Sequence, residues 1–129
     1  MTPEDLRYTA EHEWVRDQGD GIVRVGITDH AATALGDVVY LQLPETGSTV
    51  QAGDVVGEVE STKSVSELFS PLAGEVVAVN AAVVDDPAVV NSDAYGEGWM
   101  FDLRVSGGGS DLSGADLLDA DAYARLIAE

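Results

Sequence analysis

From Tyr8 to Val105 the apolar residues come in short, β-branched runs separated by glycine and polar turn residues, and this rhythm constrains the fold more than any other feature of the chain. The runs are Trp14 to Val15, Ile22 to Ile27, Val38 to Leu43, Val55 to Val59, Val76 to Val79 and Trp99 to Val105. β-Branched side chains lose χ1 freedom in a helix but pack well on a pleated surface, so the pattern predicts many short strands. Strands at this spacing make a β-sandwich or a small barrel. At 129 residues and 45% hydrophobic content, one such domain closes a modest core without disulfide or metal staples.

Helical signals are few and short. Thr28 to Leu35 (TDHAATAL) opens on residues suited to N-capping, runs through alanines and stops before Gly36. Asp86, Pro87 and the following AVV predict a second helical turn. YGEGWM reads as a turn leading into the last strand, because its glycines lack the strand-to-helix setting of a phosphate loop. Past Val105 the composition SGGGSDLSG is that of a flexible connector. Three segments follow: a β-rich domain over 1–105, a connector over 106–114 and a helix over 115–129. In the last, Leu117, Leu118, Ala122, Leu126 and Ile127 lie near helical spacing and predict a face that docks on the domain.

Composition removes whole classes of chemistry. With no cysteine there are no disulfides, thiolate nucleophiles or Cys-based metal sites, so any sulfur chemistry must arrive with a cofactor. Twenty-four acidic against six basic residues give a formal charge of -18, a field that repels phosphate backbones and anionic lipid surfaces. Salt adaptation or codon bias produces the same balance, so the charge speaks to solubility before function. No stretch reaches the roughly 20 apolar residues of a membrane span, and MTPEDLRYTAEHEW lacks the basic and apolar regions of a signal peptide. The expectation is a soluble, cytoplasmic protein with neither nucleic acid nor membrane as partner. His12 and His30 have no metal-ligand spacing around them and read as structural or surface residues. Trp14, Trp99, Phe101 and Tyr40 read as core aromatics.

Against this background Lys63 stands out as the only lysine. Within Gly53 to Asn80, valine-rich strand patterns flank the polar run Glu60 to Ser66, with Lys63 near its centre. The hydroxyls of Ser61, Thr62, Ser64 and Ser66 favour a turn by bonding to nearby backbone. Gly53-Asp54 and Ser70 to Gly74 frame the segment as paired turns. An exposed lysine is ordinarily only a solvated charge. A unique lysine at a hairpin tip instead suits a covalently modified carrier, in which a stiff sheet fixes the attachment point and the long side chain keeps its rotatable bonds.

Four blocks extend this reading: Glu11-His12-Glu13-Trp14-Val15; VGITDHAATALGDVVYLQLPETG from Val25 to Gly47; VESTKS with SPLAGEVVAVN; and VNSDAYGEGWM from Val90 to Met100. In this order, from Tyr8 to Leu103, the chain resembles the glycine cleavage H-protein family of lipoyl carriers. The resemblance implies a mainly β fold, the lipoyl/biotinyl-type flattened β-barrel or barrel-sandwich hybrid, with short helices and a C-terminal helix. It implies lipoate covalently attached to Lys63 as an amide by a lipoate-attaching enzyme. The dithiolane would accept the aminomethyl group left when a pyridoxal-phosphate glycine decarboxylase acts. A tetrahydrofolate-dependent aminomethyltransferase would then take the one-carbon unit, and a dihydrolipoamide dehydrogenase would reoxidise the dithiol. The chain itself would be a monomeric, non-catalytic carrier whose acidic surface meets basic docking faces.

The resemblance also implies a cleft that shelters the loaded arm, where Glu13 would meet the cationic amine and Glu67 is a second candidate. Two positions depart from the family's pattern: Glu67 stands where Asp is commoner, and Ala34 where some relatives have histidine. Competing readings stay open at this level. A biotin carrier generally has Met on both sides of its lysine, where Thr62 and Ser64 stand here. A lipoyl domain of a 2-oxoacid dehydrogenase lacks the HEW block, and an H-like protein could relay lipoate to other carriers. A hydrolase would need a fixed carboxylate pair, and an unmodified interaction module would carry no adduct.

Overall fold

The computed structural model describes residues 6–19, 21–105 and 117–128. Among the described residues nine strands, β1 (Arg7–Tyr8), β2 (Glu13–Gly19), β3 (Ile22–Ile27), β4 (Val38–Gln42), β5 (Thr49–Val50), β6 (Val55–Ser61), β7 (Val65–Phe69), β8 (Gly74–Val79) and β9 (Phe101–Val105), form two antiparallel sheets. One has the order β1-β2-β3-β9-β8-β5 and the other β4-β6-β7. Neither closes on itself, so the flattened barrel is a pair of open sheets over a shared core. Val15, Val25, Val76 and Leu103 of the larger sheet meet Leu41, Val59 and Leu68 of the smaller one there.

All six apolar runs contain strand. The short β1, β5 and β7 carry no comparable apolar run and were not separable from loop by pattern. β7 matters most, because Glu60 pairs with Val65 and Val59 with Ser66. The turn is therefore shorter than the polar run Glu60 to Ser66 suggests. At the base of this hairpin the two framing turns meet directly: the Gly53 amide donates to the Ser70 carbonyl (2.8 Å) and the Ser70 amide to Asp54 (2.9 Å).

Helix α1 (Asp29–Leu35) begins as expected, with the Thr28 hydroxyl accepting from the Ala31 amide. It ends at Gly36, whose φ of 83° is the left-handed conformation that glycine adopts at little steric cost. α2 (Ala81–Asp85), capped by Asn80, has no counterpart in the sequence reading. α3 (Ala88–Ser92) is the turn announced by Pro87, which occupies its N-cap.

Three expectations need correction. Tyr40 is half exposed (50%), because a register shift between Val38 and Tyr40 turns it outward while Leu41 keeps the core face. Trp14 and Phe101 are fully buried as expected, and Trp99, partly buried, packs against the cluster around Tyr8 and Trp14 under the Arg24 guanidinium, 3.9 Å from its ring centre. The last helix, α4 (Ala120–Ala128), starts later than position 115. Leu117 and Leu118 precede it, and Leu118 exchanges backbone hydrogen bonds with Tyr8 (2.7 and 2.8 Å). Asp119 supplies the reason for the later start, accepting from the Ala122 amide in the manner of an N-cap. Leu126 is exposed, whereas Leu118 and Ile127 pack as expected against a second core of Leu6, Tyr8, Trp14, Ala120 and Tyr123. The connector at 106–114 lies outside the described residues.

β4 and β6 approach closely at Gly57, where an added Cβ would run into the Gln42 carbonyl. Gly57→Ala is expected to destabilise the domain by about 1–3 kcal/mol, the cost of overpacking against an unyielding backbone. A lower urea midpoint at unchanged slope is the expected readout; wild-type stability would contradict the packing described.

Candidate functional site

Thr62, Lys63 and Ser64 make the turn between β6 and β7. The Ser61 hydroxyl oxygen accepts from the Lys63 and Ser64 amides (3.3 and 3.1 Å), and the Ser61 amide donates to the Ser64 carbonyl (2.8 Å). The Thr62 amide donates to the Asp37 carbonyl (3.1 Å), tying the turn to the chain just after α1. Lys63 is exposed. Its Cε is 3.2 Å from where a Cβ on Gly36 would lie, so the side chain passes over the glycine that ends α1.

Beside the turn is a cleft of roughly 340 Å³. Its lining includes Glu11, His12 and Glu13 from one side, Ala31, Ala34 and Leu35 of α1 from another, and Ser64 to Glu67 of the hairpin. Ile27 and Val59 add apolar surface. The cleft thus brings together Glu13, Glu67 and Ala34, positions far apart in sequence, next to the lysine turn. Glu67 lies exposed on the rim, opposite Glu58 in the ladder.

Glu13 is nearly inaccessible to solvent (2%). Its Oε1 accepts from the Thr9 hydroxyl (2.9 Å) and its Oε2 from the Phe69 amide (3.0 Å), so one carboxyl group links the larger sheet to the smaller. Burial pushes its pKa up, the two hydrogen bonds pull it down, and burial wins: the value rises from 4.5 to about 7. A carboxyl poised near neutrality, on the wall of a cleft with apolar surface, can ionise when a cation arrives and stay neutral when none does.

Sequence reasoning missed the supports of this site. Asn91 accepts from the Val38 amide (2.9 Å) and donates to the Gly36 carbonyl (2.8 Å), locking the end of α1 to β4. Thr9 holds Glu13. Such roles have no local signal, since a single Asn or Thr in a loop is indistinguishable from a solvated one. Asn91 falls within one of the four blocks, and Thr9 lies outside all of them.

Residues 6–129 match the family described as Glycine cleavage H-protein. A glycine cleavage system H protein of Mycolicibacterium smegmatis is 57% identical over 98% of this chain and 97% of its own length. One from Burkholderia cenocepacia is 55% identical, covering 97% of this chain and 96% of that protein. The crystal structure of a glycine cleavage system H protein from Mycobacterium marinum superposes with a TM-score of 0.87 at 48% identity, over 98% of this chain and 99% of that one.

The raised pKa of Glu13 carries a stability signature. The folded state holds the Glu13 proton more tightly than the unfolded chain, so this contribution is complete below about pH 4.5 and is lost as pH rises through about 7. Glu13→Gln keeps an acceptor for the Phe69 amide and removes the titration. The variant is expected to gain stability relative to wild type across that window, by on the order of 2–3 kcal/mol at pH 8. Urea midpoints measured from pH 4 to 8 test this, and a pH-independent difference between the two proteins would contradict it.

Proposed function

The chain belongs to the glycine cleavage H-protein family, and we propose that Lys63 is where it carries lipoate, as an amide, in service of glycine breakdown. The observation that carries this reading is the pairing of one exposed lysine on a hydroxyl-braced strand-to-strand turn with a partly apolar cleft that holds a buried carboxyl. The residues present suit the group: the turn offers an exposed amine, and Ile27, Leu35 and Val59 offer apolar surface to an acyl chain and its ring. When bound, lipoate supplies a dithiolane able to hold the aminomethyl fragment that remains after glycine loses carbon dioxide.

The chain's own residues then do three things. The β6 and β7 ladder holds the Lys63 backbone still, so that all mobility lies in the side chain and what it bears. The cleft withdraws the amine-bearing end from water, which otherwise attacks a carbon bonded to both sulfur and nitrogen. Glu13 supplies the countercharge, because burying an ammonium without an opposite charge is expensive. A cation beside Glu13 favours its ionised form and so draws the proton from a carboxyl that burial had kept near neutrality. Ala34 leaves the α1 side of the cleft without an ionisable group.

On this reading the partners are a pyridoxal-phosphate glycine decarboxylase, a tetrahydrofolate-dependent aminomethyltransferase, a dihydrolipoamide dehydrogenase and the enzyme that attaches lipoate, all meeting the chain in the cytoplasm. Amide formation removes the positive charge of Lys63, so the tip presented to them sits amid Glu58, Glu60 and Glu67 on neighbouring strands. Complementary basic docking faces follow from that charge.

Intact mass after expression with a lipoate-attaching system is expected to show one adduct, mapped to the peptide containing Lys63. Lys63→Arg should lose both adduct and shuttling while unfolding like wild type; glycine cleavage sustained by that variant would refute the assignment. Partner affinity should fall as ionic strength rises through the range where the Debye length shrinks from about 30 to about 8 Å. Salt-independent binding would argue against charge-guided docking.

A further inference from the structure

We propose that Tyr123 of α4 is a positioning residue for both walls of the cleft, so that the arm is sheltered only while the C-terminal helix is docked through its phenol. The proposal rests on the reading of the cleft as the arm's resting place. It goes beyond that reading by assigning a role to a helix remote in sequence from Lys63 and absent from the cleft lining.

Tyr123 is fully buried, and its ring stacks on Tyr8 with centroids 4.6 Å apart and planes 9° from parallel. Its hydroxyl oxygen lies 2.8 Å from His12 Nδ1 and 2.7 Å from Thr28 Oγ1. These two neighbours belong to different walls. His12 immediately precedes Glu13 and itself lines the cleft. Thr28 caps α1, whose Ala31, Ala34 and Leu35 form the opposing side. The Thr28 amide also donates to the His12 carbonyl (3.0 Å), so the phenol closes a loop already joined along the backbone.

Proton counting shows how the phenol orders the site. Burial pushes the Tyr123 pKa up to about 12, so the hydroxyl keeps its one proton. Burial and, secondarily, His30 hold the His12 pKa below its usual value against an opposing pull from Glu11, which favours the neutral ring. A neutral ring can accept the phenol's proton at Nδ1, the Thr28 hydroxyl then donating to the phenol while accepting from the Ala31 amide. In that arrangement each of the three meeting atoms has a partner, and the His12 proton sits on Nε2. His12 also adopts a left-handed backbone with φ of 68°, the only such non-glycine among the described residues. A side chain in that conformation is disfavoured and needs holding. The phenol holds it, and so fixes the direction in which the next residue, Glu13, enters the cleft.

Tyr123→Phe in the full chain tests the idea, because it keeps the stack on Tyr8 and deletes both hydrogen bonds. In unmodified protein, carbon-13 NMR of the Glu13 carboxyl is expected to show its titration midpoint falling from about 7 by about half a pH unit or more as water reaches the loosened wall. In lipoylated protein loaded with the aminomethyl group and kept from its partners, ammonia release should quicken about tenfold. Leu126→Ser, on the exposed side of the same helix, should change neither. An unchanged lifetime of the loaded arm in Tyr123→Phe overturns the proposal, even if thermal stability falls, because a merely structural tyrosine would show that pattern. If the wild-type chain takes no lipoate, the carrier reading fails on its own; the Glu13 midpoint then decides, and an unmoved midpoint overturns the positioning role.

Discussion

The register of β6 against β7 is the constraint on which the site depends. Glu60 opposite Val65 leaves only Ser61, Thr62, Lys63 and Ser64 to reverse the chain. A one-residue slip would carry every side chain of β7 to the other face, sending Leu68 out of the core and moving Lys63 off the apex. Three things pin the register. Leu68 is fully buried, the Gly53 and Ser70 turns bond to each other at the base, and the Ser61 hydroxyl braces the tip. The rigidity beneath Lys63 thus comes from ordinary sheet physics.

Glu13 joins this hairpin to the rest of the molecule, and it does so at a cost. A buried carboxyl with two donors is well bonded yet still prefers its proton, because desolvation outweighs the pair of hydrogen bonds. Residues at this kind of position often trade stability for function. A neutral or half-ionised acid facing a cleft is a poor structural choice but a good receptor for a cation, and the strand that carries it is cross-linked to the lysine hairpin through the Phe69 amide.

The molecule also separates its labour between two cores. One fills the space between the sheets. The other gathers Leu6, Tyr8, Trp14, Ala120 and Tyr123 at the larger sheet's edge. Because Tyr123 reaches from the second core to the residues flanking the cleft, the edge strand and the last helix become part of the site's scaffold.

Much of this was legible in the amino-acid order. Short β-branched runs marked six strands, TDHAATALG marked a capped helix, and one lysine among serines marked the tip, because strand, cap and turn preferences are local and act over a few residues. The resemblance carried by four blocks brought Glu13 and Ala34 into a common cleft before any coordinates did. What local preference could not decide was the outward turn of Tyr40, the pairing of Leu118 with Tyr8 that delays α4, and the convergence of Thr9, Thr28, Asn91 and Tyr123 around the cleft. These depend on which strands become neighbours and how two sheets face each other. Burial, and with it the proton affinity of Glu13, exists only once residues distant along the chain have excluded water together.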